Sequence, residues 1–192
     1  MKPLAIVVCL VSVTLGGLAA TQEGMPQQPK PTRDHEWLKK FVGHWATESR
    51  GSTGEGQPAA IVKGTIKAEM MGDFWLVNTM NANFNGTPFT GIQTIGYDVK
   101  KKKYVGTWID TMNGYMWQYT GVVEKDGKRL SLYADGPDMM NPDKTAKYRD
   151  AYEFKSDNEL IVTSAVQGAD GKWTIFNRGT GKRMPKAAKP KK

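Results

Sequence analysis

Between Ala59 and Arg183 the chain repeats one unit: a run of alternating apolar and polar residues followed by a tight turn. Several of these turns carry Asn-Gly or Asp-Gly, dipeptides that favour two-residue hairpin turns because they tolerate positive φ angles. Alternation with a period of two is typical of strands that have one buried face. The pattern therefore predicts a meander of about ten antiparallel strands.

The turns also predict which residues face each other, since pairing extends outward from the centre of each hairpin. A turn at Asn85-Gly86 places Asn78 opposite Gln93. The same turn pairs Ala82 with Phe89. The other turns predict the pairs Met70 with Phe74, Tyr97 with Tyr104, Gln93 with Trp108, Trp108 with Tyr119, Asp110 with Trp117, and Val123 with Leu130. A hairpin at Asp170-Gly171 places Leu160, Val162, Ser164, Val166, Ile175 and Asn177 on one face.

A meander with one apolar face must cover that face, and closing into a barrel does so without exposed strand edges. The predicted fold is all-β, an up-and-down antiparallel barrel of about ten strands over residues 32–183. Barrels of eight strands already have room for a small ligand. The inner face predicted from the turns is aromatic with several polar groups, and its candidate ligand-binding residues are Asn78, Gln93, Tyr104, Trp108, Asp110, Trp117, Tyr119, Tyr152, Ser164 and Asn177.

Polar side chains inside a barrel cost free energy unless they find partners, so an interior used only for packing gains nothing from them. This composition favours a cavity for a small apolar or amphipathic molecule. Two alternatives stay open. The interior acids Asp110 and Asp150 are candidate general acid or base groups, or they accept hydrogen bonds and fix the barrel. The aromatic volume is also compatible with a filled barrel that serves as a scaffold.

The formal net charge of +8 does not indicate a nucleic-acid-binding protein, because it is concentrated near the chain ends. Residues 34–180 contain 18 basic and 18 acidic side chains. The basic run 100–103 lies in a predicted turn and has no interleaved aromatic residues on which bases could stack. We expect no specific nucleic-acid partner, and a basic, disordered tail over residues 184–192.

Lys2 precedes an apolar run over residues 4–20 that is short for a membrane span and ends in small residues. This pattern is typical of a cleaved secretory signal over residues 1–20, followed by a disordered, Pro-rich linker over 21–31. We therefore expect a secreted or periplasmic protein with no membrane span after cleavage. Its one cysteine, Cys9, lies in the signal, so core burial rather than disulfides must stabilise the domain.

A short helix is predicted ahead of the first strand. Thr32 can cap a helix over residues 34–42, with Trp37, Leu38 and Phe41 on its apolar face. The two histidines, His35 and His44, have no partners at metal-binding spacing. We expect them to have surface or packing roles, and the sequence indicates no metal and no cofactor.

The Gly43-His44-Trp45 segment, which enters the first strand after a short helix, resembles the calycin superfamily of lipocalins and fatty-acid-binding proteins. Four longer stretches, at 35–38, 88–98, 105–110 and 145–150, resemble a mostly bacterial family catalogued as domain of unknown function 1579. The resemblance covers residues 32–183 and implies a calycin-like barrel with no established activity.

Lipocalins usually place an arginine from the end of the barrel over the tryptophan of their Gly-x-Trp motif. The resemblance therefore implies a structural role for Gly43 and for Trp45. Either Arg178 or Arg183 can supply the arginine, and strand alternation places Arg183 on the inner face.

Overall fold

The computed structural model describes residues 29–51 and 60–185 of the 192-residue chain. The described residues from Pro31 onward belong to one compact unit. Helix α1 spans Arg33–Leu38 and a 3₁₀ turn spans Lys39–Phe41. The strands are β1 (Gly43–Gly51), β2 (Ala60–Met71), β3 (Trp75–Phe84), β4 (Thr87–Asp98), β5 (Lys103–Asp110), β6 (Trp117–Val123), β7 (Arg129–Pro137), β8 (Thr145–Ser156), β9 (Glu159–Gln167) and β10 (Trp173–Arg183).

Each strand pairs antiparallel with its neighbours in sequence, and β1 also pairs with β10, so the sheet closes into a barrel. The closing ladder runs from Trp45 opposite Arg183 to Gly51 opposite Asn177. Closure leaves no strand edge unpaired, which removes the main aggregation hazard of a long antiparallel sheet. The prediction of an all-β, up-and-down, ten-stranded barrel with a short N-terminal helix is confirmed.

Some sequence predictions concern residues outside the described part. The proposed signal over 1–20 lies there, as do most of the proposed linker and residues 186–192 of the proposed tail. In the part of the chain that the structure describes, no helix is long and apolar enough to cross a membrane.

At most positions the strands pair as the turn residues predict. Asn85 and Gly86 have φ angles of 51° and 94°, as a tight hairpin turn requires. Confirmed pairs are Asn78 with Gln93, Ala82 with Phe89, Tyr97 with Tyr104, Gln93 with Trp108, and Val123 with Leu130. A correct turn centre is thus enough to place the side chains of two strands on the correct faces.

The β2–β3 register differs from the prediction by two positions. Met70 lies opposite Leu76, not opposite Phe74. The loop between the strands holds three residues and begins at Gly72, whose φ is +61°. Phe74 lies in this loop and packs edge-on against the ring of His35, with 5.2 Å between ring centroids. A shift of two leaves every inward side chain inward, so only the partners change.

The β5–β6 register is also displaced by two. Trp108 lies opposite Trp117 rather than Tyr119, and Asp110 has no partner on β6. The reason is that the Asp110 carboxylate accepts hydrogen bonds from the backbone amides of residues 112 and 113, at 2.8 and 3.1 Å. This aspartate turn makes the connection longer than the predicted two-residue turn.

A β-bulge in β10 overturns one predicted face. Ile175 pairs with Ala165 while Asn177 pairs with Ser164, so Phe176 is the extra residue. Ile175 therefore lies on the outer face, where it is 48% exposed, and its predicted inward position was wrong. Asn177 keeps the predicted inner face because the bulge precedes it.

The two halves of the barrel interior differ in packing. The half next to α1 is packed with apolar side chains of one buried cluster, which extends to the boundary with the other half at Tyr119 and Ala134. The members of the cluster are Leu38, Phe41, Trp45, Ala68, Leu76, Ile95, Tyr104, Tyr119, Leu130, Leu132, Ala134, Phe154 and Leu160. Helix α1 and the 3₁₀ turn cover this end, since Leu38 and Phe41 are 0% and 3% exposed. Apolar burial of this kind is the main stabilising contribution available to a domain without disulfides.

The helical segment begins one residue earlier than predicted, and its last turn is a 3₁₀ turn. At its start the backbone amide of Thr32 donates to Nδ1 of His35 at 3.0 Å. The His35 ring is buried and packs edge-on against Phe74 and Tyr97. His35 therefore has the packing role expected from the sequence and fixes the helix on the barrel end.

Arg183 ties the last strand to the first. Its guanidinium carbon lies 4.2 Å from the centroid of the Trp45 ring. The same guanidinium donates to the backbone carbonyls of Lys40, at 2.8 Å, and of Val42, both just after α1. Its Nε donates to the carbonyl of Asp157 at 2.8 Å. One side chain thus satisfies three carbonyls from two segments that meet at the closed end of the barrel.

Gly43 and Trp45 complete this arrangement. Gly43 has a φ of +136°, and a Cβ there would lie 2.7 Å from a guanidinium nitrogen of Arg183. The Trp45 indole nitrogen donates to the carbonyl of Phe41 at 2.7 Å. Gly43, Trp45 and Arg183 therefore lie together where the calycin resemblance implied.

The Arg183 contacts predict a large effect on stability. Arg183→Ala removes the stacked cation and leaves several carbonyls without a donor, so we expect it to lower the free energy of unfolding by about 2–4 kcal/mol. Arg178→Ala is the matched control, because Arg178 is exposed on the same strand, and it should cost less than about 0.5 kcal/mol. Urea unfolding of the two variants measures this, and equal losses would contradict the assigned role.

Candidate ligand-binding cavity

The half of the barrel away from α1 contains a cavity of about 510 Å³. Apolar side chains form most of its wall: Val62, Met80, Phe84, Phe89, Trp108, Trp117, Met139, Tyr148, Val162 and Phe176. The size lies within the range of roughly 300–1,000 Å³ that is common for small-molecule sites. The barrel is therefore not filled by its own side chains in this half.

Polar side chains form the floor of the cavity, at the boundary with the packed half. Asn78 Nδ2 donates to Gln93 Oε1 at 3.1 Å, and Gln93 Nε2 donates to the Tyr152 hydroxyl at 2.9 Å. Asn78 and Gln93 are 6% and 2% exposed. Asn78 Oδ1 is buried and has no hydrogen-bond partner. An unpartnered buried acceptor costs free energy, so a ligand donor placed there would stabilise the site.

Asp150 is the acid at this floor. Its Oδ2 accepts a hydrogen bond from the Tyr119 hydroxyl at 2.6 Å, and Ser164 lies opposite it on β9. The surface that Asp150 keeps accessible faces the cavity. Desolvation by burial raises the pKa of Asp150, and the neighbouring hydroxyls of Ser164 and Tyr119 act in the opposite direction. Burial thus penalises the charged carboxylate as long as no positive group lies beside it.

Burial also raises the pKa of the two tyrosine hydroxyls at the floor. Desolvation is the largest cause for Tyr119, and the charge of Asp150 adds to it. The same two causes, in the same order, raise the pKa of Tyr152. Both hydroxyls therefore stay protonated near neutral pH and act as neutral hydrogen-bonding groups.

Trp108 and Asp110 lie together in the open half of the barrel. The Trp108 indole nitrogen donates to Asp110 Oδ2 at 2.8 Å, and the Trp108 ring stacks on Phe89 at 6.2 Å between centroids. The ring reaches diagonally across β4 and fits because it covers Gly91, where a Cβ would lie 2.4 Å from the ring carbons. Asn113 also donates to both carboxylate oxygens of Asp110. Asp110 is therefore saturated by donors from Trp108 and from the loop that follows it.

Trp117, the cross-strand partner of Trp108 on β6, continues the apolar wall. Its ring lies over Gly136, where a Cβ would lie 2.2 Å from a ring carbon. It packs edge-on against Tyr148, with 4.9 Å between centroids, and the Tyr148 hydroxyl donates to the carbonyl of Pro137 at 2.7 Å. Rings held in this way give the cavity a fixed aromatic surface.

The structure brings most of the predicted ligand-binding residues to one cavity. Those that line it are Asn78, Gln93, Trp108, Asp110, Trp117, Tyr119, Tyr152, Ser164 and Asn177. Tyr104 does not line it, because Tyr104 belongs to the packed half, where its hydroxyl donates to the Asp34 carbonyl at 3.1 Å. The two acids do line the same cavity, but only Asp150 lies at its floor.

Several cavity residues were missed by the sequence reasoning. Phe84 and Tyr148 have the same inward phase as Ala82 and Asp150, so strand alternation was sufficient to find them. Phe176 reaches the cavity through the β10 bulge, which no turn signal marks.

A second depression of about 760 Å³ lies on the barrel exterior. Its lining includes outward-facing residues such as Thr107, Gln118 and Lys147. We assign the ligand site to the interior instead, because an open outer groove does not enclose a small molecule. Across residues 29–51 and 60–185, no group of three or more His, Cys, Asp or Glu side chains is placed to hold a metal ion.

The raised pKa of Asp150 predicts a pH-dependent stability. Above the ordinary value of 3.8, the folded protein keeps a proton that the unfolded chain releases. The contribution of Asp150 to stability is therefore fully present below that value and falls as pH rises through the window between the two pKa values. The Asn side chain of Asp150→Asn does not titrate. The free energy of unfolding of this variant, relative to that of the parent, should therefore increase from pH 4 to pH 7.

Urea unfolding at a series of pH values measures this difference. Asp135→Asn is the matched control, because Asp135 is exposed on the outer face of β7. It should not reproduce the trend. If the difference in unfolding free energy between Asp150→Asn and the parent stays constant or shrinks as pH rises, the pKa of Asp150 is not raised in the folded protein.

Comparison with solved structures places the fold in context. The protein Rv2717c from M. tuberculosis superposes with a TM-score of 0.60 at 12% identity, covering 81% of this chain and 100% of that one. The S-type phycobiliprotein lyase CPES from Guillardia theta gives a TM-score of 0.55 at 11% identity, covering 79% of this chain and 93% of that one. Both likenesses show a shared barrel fold.

No curated protein matches the chain. The model of a family described as a protein of unknown function (DUF1579) matches residues 30–183, which include α1 and all ten strands. The chain therefore belongs to the DUF1579 family.

Proposed function

We propose that this protein binds one small, mainly apolar molecule inside the open half of its barrel. The observation that carries the proposal is the division of the interior into a packed half and a cavity of about 510 Å³ with an aromatic wall. A cavity of this size in an otherwise close-packed domain forfeits dispersion contacts that its lining would gain from a ligand.

The distribution of polar groups supports one orientation for the ligand. The floor carries Asn78, Gln93 and Asp150, while Phe89 and Trp108 belong to the wall. A ligand gains most when its polar end meets the floor and its apolar body lies along the aromatic wall. The proposed ligand is therefore amphipathic, with its polar end innermost.

The geometry favours binding over the two alternatives. The cavity volume is an argument against a filled scaffold, because the aromatic residues line space without occupying it. Acid-base catalysis by a pair of carboxylates is disfavoured because the oxygens of Asp110 accept bonds from Trp108 and Asn113. Burial raises the pKa of Asp150, which leaves it as a single candidate general acid without a paired base.

We also propose that the protein is exported and acts as a secreted or periplasmic binding protein. The support is the sequence pattern of Lys2 and the apolar run over residues 4–20, together with a domain whose residues 32–183 contain no cysteine. A domain that needs neither disulfides nor reduced thiols folds equally well in an oxidising compartment.

Titration with a neutral apolar fluorophore, N-phenyl-1-naphthylamine, tests the binding function. Trp108→Ala removes aromatic wall and should weaken binding by about tenfold or more, equivalent to about 1.4 kcal/mol. Trp75→Ala is the matched control, since Trp75 lies on the outer face over Gly96, and it should change affinity by less than about threefold.

Asp110→Asn should also keep affinity within about tenfold, because it preserves the shape of the group and leaves the floor intact. Two results would count against the proposal. One is a parent protein that does not bind the fluorophore. The other is equal binding by the parent and Trp108→Ala, which would place the probe elsewhere.

A further inference from the structure

Asp150 is a half-buried acid whose neighbours on the adjacent strands are neutral groups. Tyr119 donates to it at 2.6 Å from β6, Ser164 lies opposite it on β9, and Leu132 lies opposite it on β7. Hydroxyls can solvate a carboxylate in part, but they cannot balance its charge. The described residues around Asp150 thus provide hydrogen bonds but no counter-ion.

The rest of the cavity lining that the structure describes has no counter-ion either. Among the described residues that line it there is no Lys, Arg or His. The ion pairs found across the described residues join other acids, such as Glu48 with Lys63 and Glu124 with Arg129, and none includes Asp150. The second interior acid, Asp110, adds charge of the same sign. The electrostatic potential of the cavity therefore favours a positive ligand.

Resting on the proposed binding function, we infer that the polar end of the ligand is a protonated amine and that Asp150 is its counter-ion at the cavity floor. An ammonium group supplies the missing positive charge and three N–H donors. One donor suits the Asp150 carboxylate in a charge-assisted hydrogen bond. Another suits Asn78 Oδ1, the buried acceptor that has no donor in the structure.

Other head groups fit less well. A carboxylate would place a second negative charge beside Asp150 and Asp110 with no basic side chain to bind it. An alcohol can donate one hydrogen bond, but it leaves the Asp150 carboxylate without a counter-ion. The site therefore selects an apolar amine over a fatty acid or a fatty alcohol of equal chain length.

Competition among three eight-carbon compounds tests this selection. Octylamine, 1-octanol and octanoate are titrated at pH 7 against bound N-phenyl-1-naphthylamine on the full chain. The amine should bind at least about tenfold more tightly than the alcohol, and octanoate should bind most weakly. Asp150→Asn should remove most of the advantage of the amine and leave octanol affinity within about threefold. Asp135→Asn, which removes an exposed charge, should keep the full advantage.

The outcomes separate the inference from the function on which it rests. If octanol binds as tightly as octylamine, or octanoate binds more tightly, the amine inference is wrong while the binding function stands. If Asp150→Asn and Asp135→Asn reduce amine affinity equally, the cation is attracted by overall charge and Asp150 is not its counter-ion. If neither the fluorophore nor any competitor binds, both the function and the inference are wrong.

Discussion

The contact between Arg183 and Trp45 determines how the rest of the barrel is organised. It joins the last strand to the first, and the same guanidinium binds the backbone carbonyls that follow α1. The helix is therefore held over one end, and Leu38 and Phe41 fill the space below it. The cavity lies in the other half of the barrel, away from the helix.

The layer of polar side chains between the two halves lowers the stability of the fold. Asn78, Gln93 and Tyr152 satisfy part of their hydrogen-bonding capacity with one another. Asp150 accepts a hydrogen bond from a neighbouring hydroxyl, and burial raises its pKa. An apolar layer of similar volume would be at least as stable. Buried polar groups that lower stability are typical of ligand-binding sites. We therefore connect this polar layer with the proposed binding function.

Strand alternation and turn chemistry predicted the barrel and most of its inner face. The pair Asn78 and Gln93 followed directly from one Asn-Gly turn. Alternation fixes the face of a residue but not its depth along the barrel, so Tyr104 was expected in the cavity although the helix end encloses it. The bulge at Phe176 and the carboxylate-capped loop after Asp110 depend on tertiary contacts that a local pattern does not encode.

Native mass spectrometry of the protein isolated from its own host tests the central claim, that the open half of the barrel holds a ligand. The folded protein should carry one small, apolar molecule per chain, and denaturation should release it to leave the mass of the polypeptide alone. Equal masses before and after denaturation, from a sample that also takes up no apolar compound added to it, would contradict the account.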